Sequence, residues 1–189
     1  MSKTALLVVD MVYDFAHPDG AVYYPQNSEI LPRIKRVIDE CRKHDCLIVF
    51  MQQSHRRGKY DKHLASVARP NCIEGTGGDE LMPELGVQEN DFIIKKRRYS
   101  SFYGTDLDLV LREHGVQSVI VCGTKTNCCI RATVNDAYHL NYNVIVPREC
   151  VATNDDTNNE VHLSDINKYM GSVLTMEELF QLLRGRESK

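Results

Sequence analysis

Short apolar runs of strand length alternate along this chain with segments that carry helical stripes, and that alternation leaves few folds open. Thr4–Val9, Leu47–Met51, Ser118–Cys122 and Asn143–Val146 are continuous runs rich in Val, Ile and Leu. Runs of this kind mark strands covered on both faces. Phe92–Ile94 and Ser172–Leu174 are two shorter candidates. Between them, Glu29–His44 places Ile30, Leu31, Ile34, Val37, Ile38 and Cys41 on one helical stripe, with Pro32 in the first turn. Thr105, with Asp108 three residues on, and Gly115 bracket a helix through His114. Cys128–Leu140 and Asn159–Met170 read as two more helices. Thr175 with Glu178 makes a capping box for a last one ending near Arg184–Gly185. Strands alternating with helices predict a three-layer α-β-α, Rossmann-like fold around a mainly parallel six-stranded sheet. At 189 residues the chain is expected to form a single domain, 1–189. Sheets of this type bind ligands beyond the carboxyl ends of their strands.

Composition removes several function classes. The 23 Lys and Arg against 26 Asp and Glu leave a net charge of −3, which does not suit a nucleic-acid binder. No apolar run approaches the ~18 residues of a membrane span. The start, MSKTALLVVD, lacks the length and cleavage site of a signal peptide, so a cytoplasmic protein is expected. Seven cysteines, an odd count with no Cys-x-x-Cys pair, argue against a disulfide framework.

Three polar features fall at predicted strand ends. Asp10 closes an all-apolar strand, where desolvation raises a carboxylate pKa unless a cation is near; it equally suits a turn or cap. Lys95 and Lys96 follow Phe92–Ile94, so alternation turns one inward and the other outward; the run KKRR also suits a solvated surface. Cys128 and Cys129 open a helix after a strand–glycine turn, where N–H groups and the helix dipole favour a thiolate and a lowered pKa. Either can instead be a buried structural thiol, and the two together a redox pair. A nucleophile, a base and a cation converging on one crevice would be the constellation for covalent acyl transfer.

The segments LLVVDMVYDF at 6–15, KRRYSSFYGTDLDLVLREHGV at 96–116 and VIVCGTKTNCCIRATVNDAYHLNYNVIV at 119–146 resemble the isochorismatase-like cysteine hydrolases. That group includes nicotinamidases, N-carbamoylsarcosine amidases and ureidoacrylate and biuret hydrolases. The resemblance implies a catalytic triad of Asp10, Lys96 and Cys129. Lys96 stands at the family's step before Tyr99, Ser100 and Phe102, and Cys129 precedes an aliphatic residue, Ile130. The resemblance also implies a cis peptide at Thr124–Lys125 and an oxyanion site in the turn of Thr124, Lys125 and Cys129. Phe15, Arg97, Tyr99, Phe102 and Asn127, in the same segments, are the candidate substrate contacts; Arg56, Arg57 and Arg98 are further cations that could meet a carboxylate.

Two departures bear on the chemistry. Metal-dependent nicotinamidases carry Asp-x-His where this chain has Gln53-Ser54-His55, so neither metal nor cofactor is expected, although His55 and His63 remain as nitrogen donors. The isochorismate-hydrolysing branch lacks the cysteine, which argues against vinyl-ether hydrolysis. The segment NCIEGTGGDELMPEL at 71–85 is closer to the carbamoyl and ureido amidases. The expected activity is cleavage of an amide or ureido C–N bond of a small molecule through a thioester, with release of ammonia or an amine. The alternatives are a nicotinamidase-type or isochorismatase-type hydrolase, or a silent binding protein on the same fold. The family also implies a homodimer or homotetramer, and the long polar stretch 53–91 is where a crevice cover or partner contact would lie.

Overall fold

In the computed structural model, residues 3–185 are described. Seven strands form one sheet: β1 (Lys3–Val9), β2 (Leu47–Gln53), β3 (Phe92–Lys96), β4 (Val116–Thr124), β5 (Asn143–Pro147), β6 (Val151–Ala152) and β7 (Ser172–Leu174). The order is β3-β2-β1-β4-β5-β7, with β6 paired to β4 beyond β5, and every pairing is parallel. The sequence reading of six strands, mainly parallel, therefore gains a seventh. Val151–Ala152 is too short to show a pattern of its own, and only its pairing with Gly123 and Thr124 makes it a strand.

The helices are α1 (Tyr13–Ala16), α2 (Pro25–Lys43), α3 (Lys62–Ser66), α4 (Leu107–Glu113), α5 (Arg131–His139), α6 (Asp156–Tyr169) and α7 (Met176–Arg184). A π-type turn, Thr126–Ile130, leads into α5. Alternation along the central strands splits the core. Leu6, Val8, Phe50, Ile120 and Cys122 face α2 and α7, meeting Ile34, Ile38, Leu179 and Leu183. Ala5, Leu7, Val9, Met51 and Val121 face the other way, against Leu107 and Leu111 of α4, Val134 of α5 and Ile166 of α6. The result is three layers, as the alternation of strands and helices predicts.

Several boundaries differ from the sequence reading, each for a local reason. α2 begins at Pro25 rather than Glu29, so Pro32 lies inside the helix instead of in its first turn. α4 takes Asp106, not Thr105, as N-cap, while the Thr105 hydroxyl accepts the Leu107 N–H at 3.3 Å. α6 starts at Asp156 because Asp155 caps it, accepting the Asn158 N–H at 2.7 Å. The box at Thr175 and Glu178 is formed in both directions.

The polar stretch 53–91 is ordered by its own anchors. Cys72 N–H donates to Asp14 Oδ2 at 2.6 Å, and Ser54 Oγ donates to the buried Asp79 at 2.7 Å. His55 bridges Ile73, Val12 bridges Leu81, and Met82 N–H donates to Met11 O. Such a segment keeps its backbone satisfied and packs on the sheet end.

The strand order reverses between β1 and β4, which are neighbours. The crevice at their carboxyl ends depends on how closely the two strands run. Gly123 has φ +116°, and a Cβ built there would lie 2.0 Å from Val9 O. The clash is with backbone, so it cannot be relieved by rotating a side chain. Gly123→Ala is expected to cost at least about 2 kcal/mol from strain at a positive φ and the clash, read as a lowered denaturant midpoint with an unchanged slope.

Candidate active site

The carboxyl ends of β1, β3 and β4 bring Asp10, Lys96 and Cys129 together. Asp10 follows β1 with φ +57°, a left-handed conformation that Asp tolerates, and its N–H donates to Met51 O at 2.9 Å. Lys96 ends β3, and Ile94, two residues earlier, fixes its side. Lys96 therefore turns inward and is fully buried, whereas Lys95 turns out and pairs with Glu74 at 2.6 Å. The inward–outward choice that the sequence left open is settled by the strand's pleat. Between β3 and β1 lies β2, so the lysine must reach across about two strand spacings, roughly 10 Å, to meet the aspartate. Its long stem does so: Lys96 Nζ stands 2.7 Å from Asp10 Oδ2, with both side chains wholly shielded from solvent.

The ammonium is surrounded by oxygen. Besides Asp10 it donates to Gln53 Oε1 at 2.9 Å and to Arg98 O at 3.0 Å. Three oxygens match its three N–H donors. Cys129 lies in the π-type turn and is 8% exposed, so little of it meets solvent. The peptide Thr124–Lys125 is cis, as the resemblance implied.

Burial dominates the protonation states. It raises the Asp10 carboxyl above the usual carboxylate range, against the opposing pull of Lys96. At Lys96 burial favours loss of the proton, but Asp10 and Cys129 outweigh it and the ammonium is held more tightly than in water. Burial pushes the Cys129 thiol up to about 12, with Lys96 opposing and the Asp10 charge adding to the rise. Cys128 is also raised by burial, though Lys125 pulls it down. The sequence reading expected a lowered thiol pKa at a helix start. That expectation fails because desolvation in a closed crevice exceeds what backbone dipoles return. The resting thiol is neutral.

The candidate substrate contacts are scattered around this centre. Phe15 lies in α1, with its carbonyl accepting from Asn27 at 2.7 Å. Arg97 and Tyr99 follow β3 directly; Tyr99 is half-exposed and meets the His63 ring edge-on at 4.9 Å. Asn127, in the turn that holds Cys129, accepts from Thr153 Oγ1 at 3.0 Å. Phe102 stacks on Tyr142, just before β5, at the amino end of the sheet. Arg98 pairs with Asp61 at 3.3 Å. Arg56 and Arg57 are exposed on the loop after β2.

Sequence reasoning missed Gln53, Asp61 and Tyr24 as neighbours and considered His55 only as a metal ligand. Gln53 holds Lys96. His55, buried, bonds Gln53 Nε2 through Nε2 at 2.9 Å and Asp61 Oδ2 through Nδ1 at 2.8 Å. Asp61 thus supplies a carboxylate to His55, one the local Gln53-Ser54-His55 pattern does not contain. Tyr24 hydrogen-bonds Thr124 Oγ1 and donates to Ala152 O at 3.2 Å, and Lys125 Nζ rests 5.3 Å from its ring centre. Only the adjacency of Gln53 to a strand end was a signal visible in the sequence. Among the described residues, no group of three or more His, Cys, Asp or Glu is arranged to hold a metal ion.

A family model described as isochorismatase domain matches residues 4–178. An Arabidopsis thaliana protein named as a probable inactive nicotinamidase is 33% identical over 87% of this chain and 86% of its own length. Maleamate amidohydrolase of Pseudomonas putida is 27% identical over 96% of this chain and 87% of its own. The crystal structure of N-carbamoylsarcosine amidase from Thermoplasma acidophilum superposes with a TM-score of 0.81 at 29% identity, covering 92% of this chain and 96% of that one.

The raised thiol makes a testable profile. In a Cys128→Ala background, the iodoacetamide labelling rate of Cys129 should keep rising through pH 9, the ordinary thiol value, towards about 12. A plateau below pH 9 would contradict the burial argument.

Proposed function

We propose that this chain, which belongs to the isochorismatase family, is a cysteine amidohydrolase. It cleaves an amide or carbamoyl C–N bond of a small molecule through a thioester on Cys129. The observation that carries the reading is the shielded Asp10–Lys96 ion pair beside a neutral thiol. A neutral thiol needs a base at the moment of attack, and among the described residues Asp10, paired with the fixed cation of Lys96, is the carboxylate that acts on its proton.

Asp10 takes the Cys129 proton as sulfur bonds to the amide or carbamoyl carbon. The carbonyl oxygen becomes an oxyanion, held by the N–H groups of Lys125 and Cys129 in the turn with Thr124. Each such donor is worth about 3–4 kcal/mol in comparable sites. As the intermediate collapses, the C–N bond breaks and Asp10 returns its proton to the leaving nitrogen, so ammonia or an amine departs. A water molecule then gives its proton to Asp10 and attacks the thioester, releasing the acid and restoring the thiol. Lys96 stays protonated throughout and favours the ionised Asp10 carboxylate before each proton is taken up. Phe15, Arg97, Tyr99 and Asn127 are assigned to the substrate, while Phe102, stacked on Tyr142, serves packing. Arg97, next to Lys96, and Lys125, in the turn that leads to Cys129, suit a substrate with a carboxylate near its amide.

The relative named as a probable inactive nicotinamidase favours a second reading, a silent binding protein on the same fold. The retained Asp10, Lys96 and Cys129 weigh against it. Assaying ammonia release over ureido acids, biuret, nicotinamide and maleamate separates the two: no release from any of them supports the silent reading. With an active substrate, Cys129→Ala should abolish turnover and Cys128→Ala should keep most of it. Lys96→Met should lower turnover by several orders of magnitude with the fold intact.

Exhaustive chelation should leave activity unchanged, because both ring nitrogens of His55 are already committed to Gln53 and Asp61. Loss that zinc or iron restores would overturn this. The active species is a homodimer or homotetramer on this reading, and a sedimenting particle no heavier than one chain would refute that.

A further inference from the structure

The chain of polar side chains behind Lys96 has only one consistent direction. An ammonium has donors and no acceptor, so the Gln53 atom 2.9 Å from it must be the amide oxygen. The Gln53 amide nitrogen, donor only, then faces His55 Nε2 at 2.9 Å, which must accept and carry no hydrogen. The hydrogen of the neutral imidazole therefore sits on Nδ1 and is donated to Asp61 Oδ2 at 2.8 Å. Asp61 is fixed in turn: its Oδ1 caps α3, accepting the N–H groups of His63 at 2.9 Å and Leu64 at 3.4 Å, and it pairs with Arg98 at 3.3 Å. Gln53 and His55 are 4% and 1% exposed, so water does not compete for these bonds.

The series does not conduct protons. It passes through a carboxamide nitrogen, which neither gains nor loses a proton near neutral pH, so the link to Lys96 is geometric. It has geometric work to do. Lys96 projects a long, flexible stem across β2, and such a stem carries about 2 kcal/mol of rotamer entropy. If Gln53 turned over, its NH₂ would face the ammonium and two donors would be buried against each other.

We propose that Gln53, held in one amide orientation by His55 and Asp61, is a positioning residue that directs the Lys96 ammonium onto Asp10 and so sets how readily Cys129 loses its proton. This rests on the reading that Asp10, Lys96 and Cys129 act together. It assigns a role to three side chains outside that triad.

The test is the pH profile of iodoacetamide labelling of Cys129 in the full chain with Cys128→Ala, which needs no substrate. Thermal melting checks the fold. Gln53→Met keeps the side chain's length and removes both polar ends. It should slow labelling at mildly alkaline pH by about tenfold, and lower kcat by a similar factor with KM little changed, in the range typical of groups that orient a reacting one. Lys96→Met serves as the control and should slow labelling at least as much. If Lys96→Met slows labelling and Gln53→Met does not, the role of Gln53 is wrong while the triad stands. If Lys96→Met labels as fast as the parent, the triad reading itself fails. Should Gln53→Met not fold, the His55 variants decide. His55→Leu leaves the Gln53 amide nitrogen without an acceptor and should slow labelling several-fold, whereas His55→Gln offers an oxygen and should restore it. Equal rates for these two variants would overturn the proposal.

Discussion

Two opposite charges, Asp10 and Lys96, lie 2.7 Å apart with no solvent access, and the arrangement around them follows from the need to keep them there. Withdrawing each ion from water costs several kcal/mol, and mutual attraction offsets this only when the remaining hydrogen-bonding capacity is filled. The structure fills it on the lysine side, with Gln53 Oε1 and Arg98 O completing the ammonium's shell. Burial still shows in the carboxyl, which stays above its ordinary range in spite of its partner. An ion pair of this kind is a poor way to stabilise a fold. On the proposed reading it holds a charged base ready in a place that excludes water.

The geometry of the sheet makes the pair possible. Asp10 leaves β1 in a left-handed turn, and Gly123 lets β4 run against Val9 with no side chain between them. Lys96 comes from two strands away, and the strand it crosses supplies Gln53 at the same register level, since Gln53 pairs with Lys96 along the ladder. The loop after β2 then returns with His55 and Asp61 to close the far side. A segment that reads as polar and irregular is tied by Asp14, Asp79 and His55 to the sheet's carboxyl end, so its composition reports exposure of its outer face rather than freedom of its backbone.

The same closure explains the cysteines. None of the seven forms a disulfide, and burial raises Cys72, Cys122, Cys128, Cys129 and Cys150 above the ordinary thiol value, while at Cys41 the contact with Cys46 leads and burial adds to it. The pKa therefore does not single out a nucleophile. On the proposed reading place does: Cys129 alone among these raised thiols lies in the turn after the cis peptide with both Asp10 and Lys96 acting on its proton.

Much of the architecture was legible because its signals are local. A run such as LLVV or LIVF states that a strand is covered on both sides, a 3.6-residue stripe states which helix face packs, and Thr175 with Glu178 states where a helix starts. These determined the order of elements, the three layers and the strand ends at which Asp10, Lys96 and Cys129 were sought. Tertiary structure decided what depends on neighbours distant in sequence. It made Val151–Ala152 a strand by pairing it with β4, turned Lys96 inward to cross β2, and brought His55 and Asp61 to the back of Gln53. It also reversed the expected direction of the Cys129 thiol, because a helix start favours a thiolate through dipoles carried in the local chain, while desolvation is imposed by the whole set of strands and loops that closes over it.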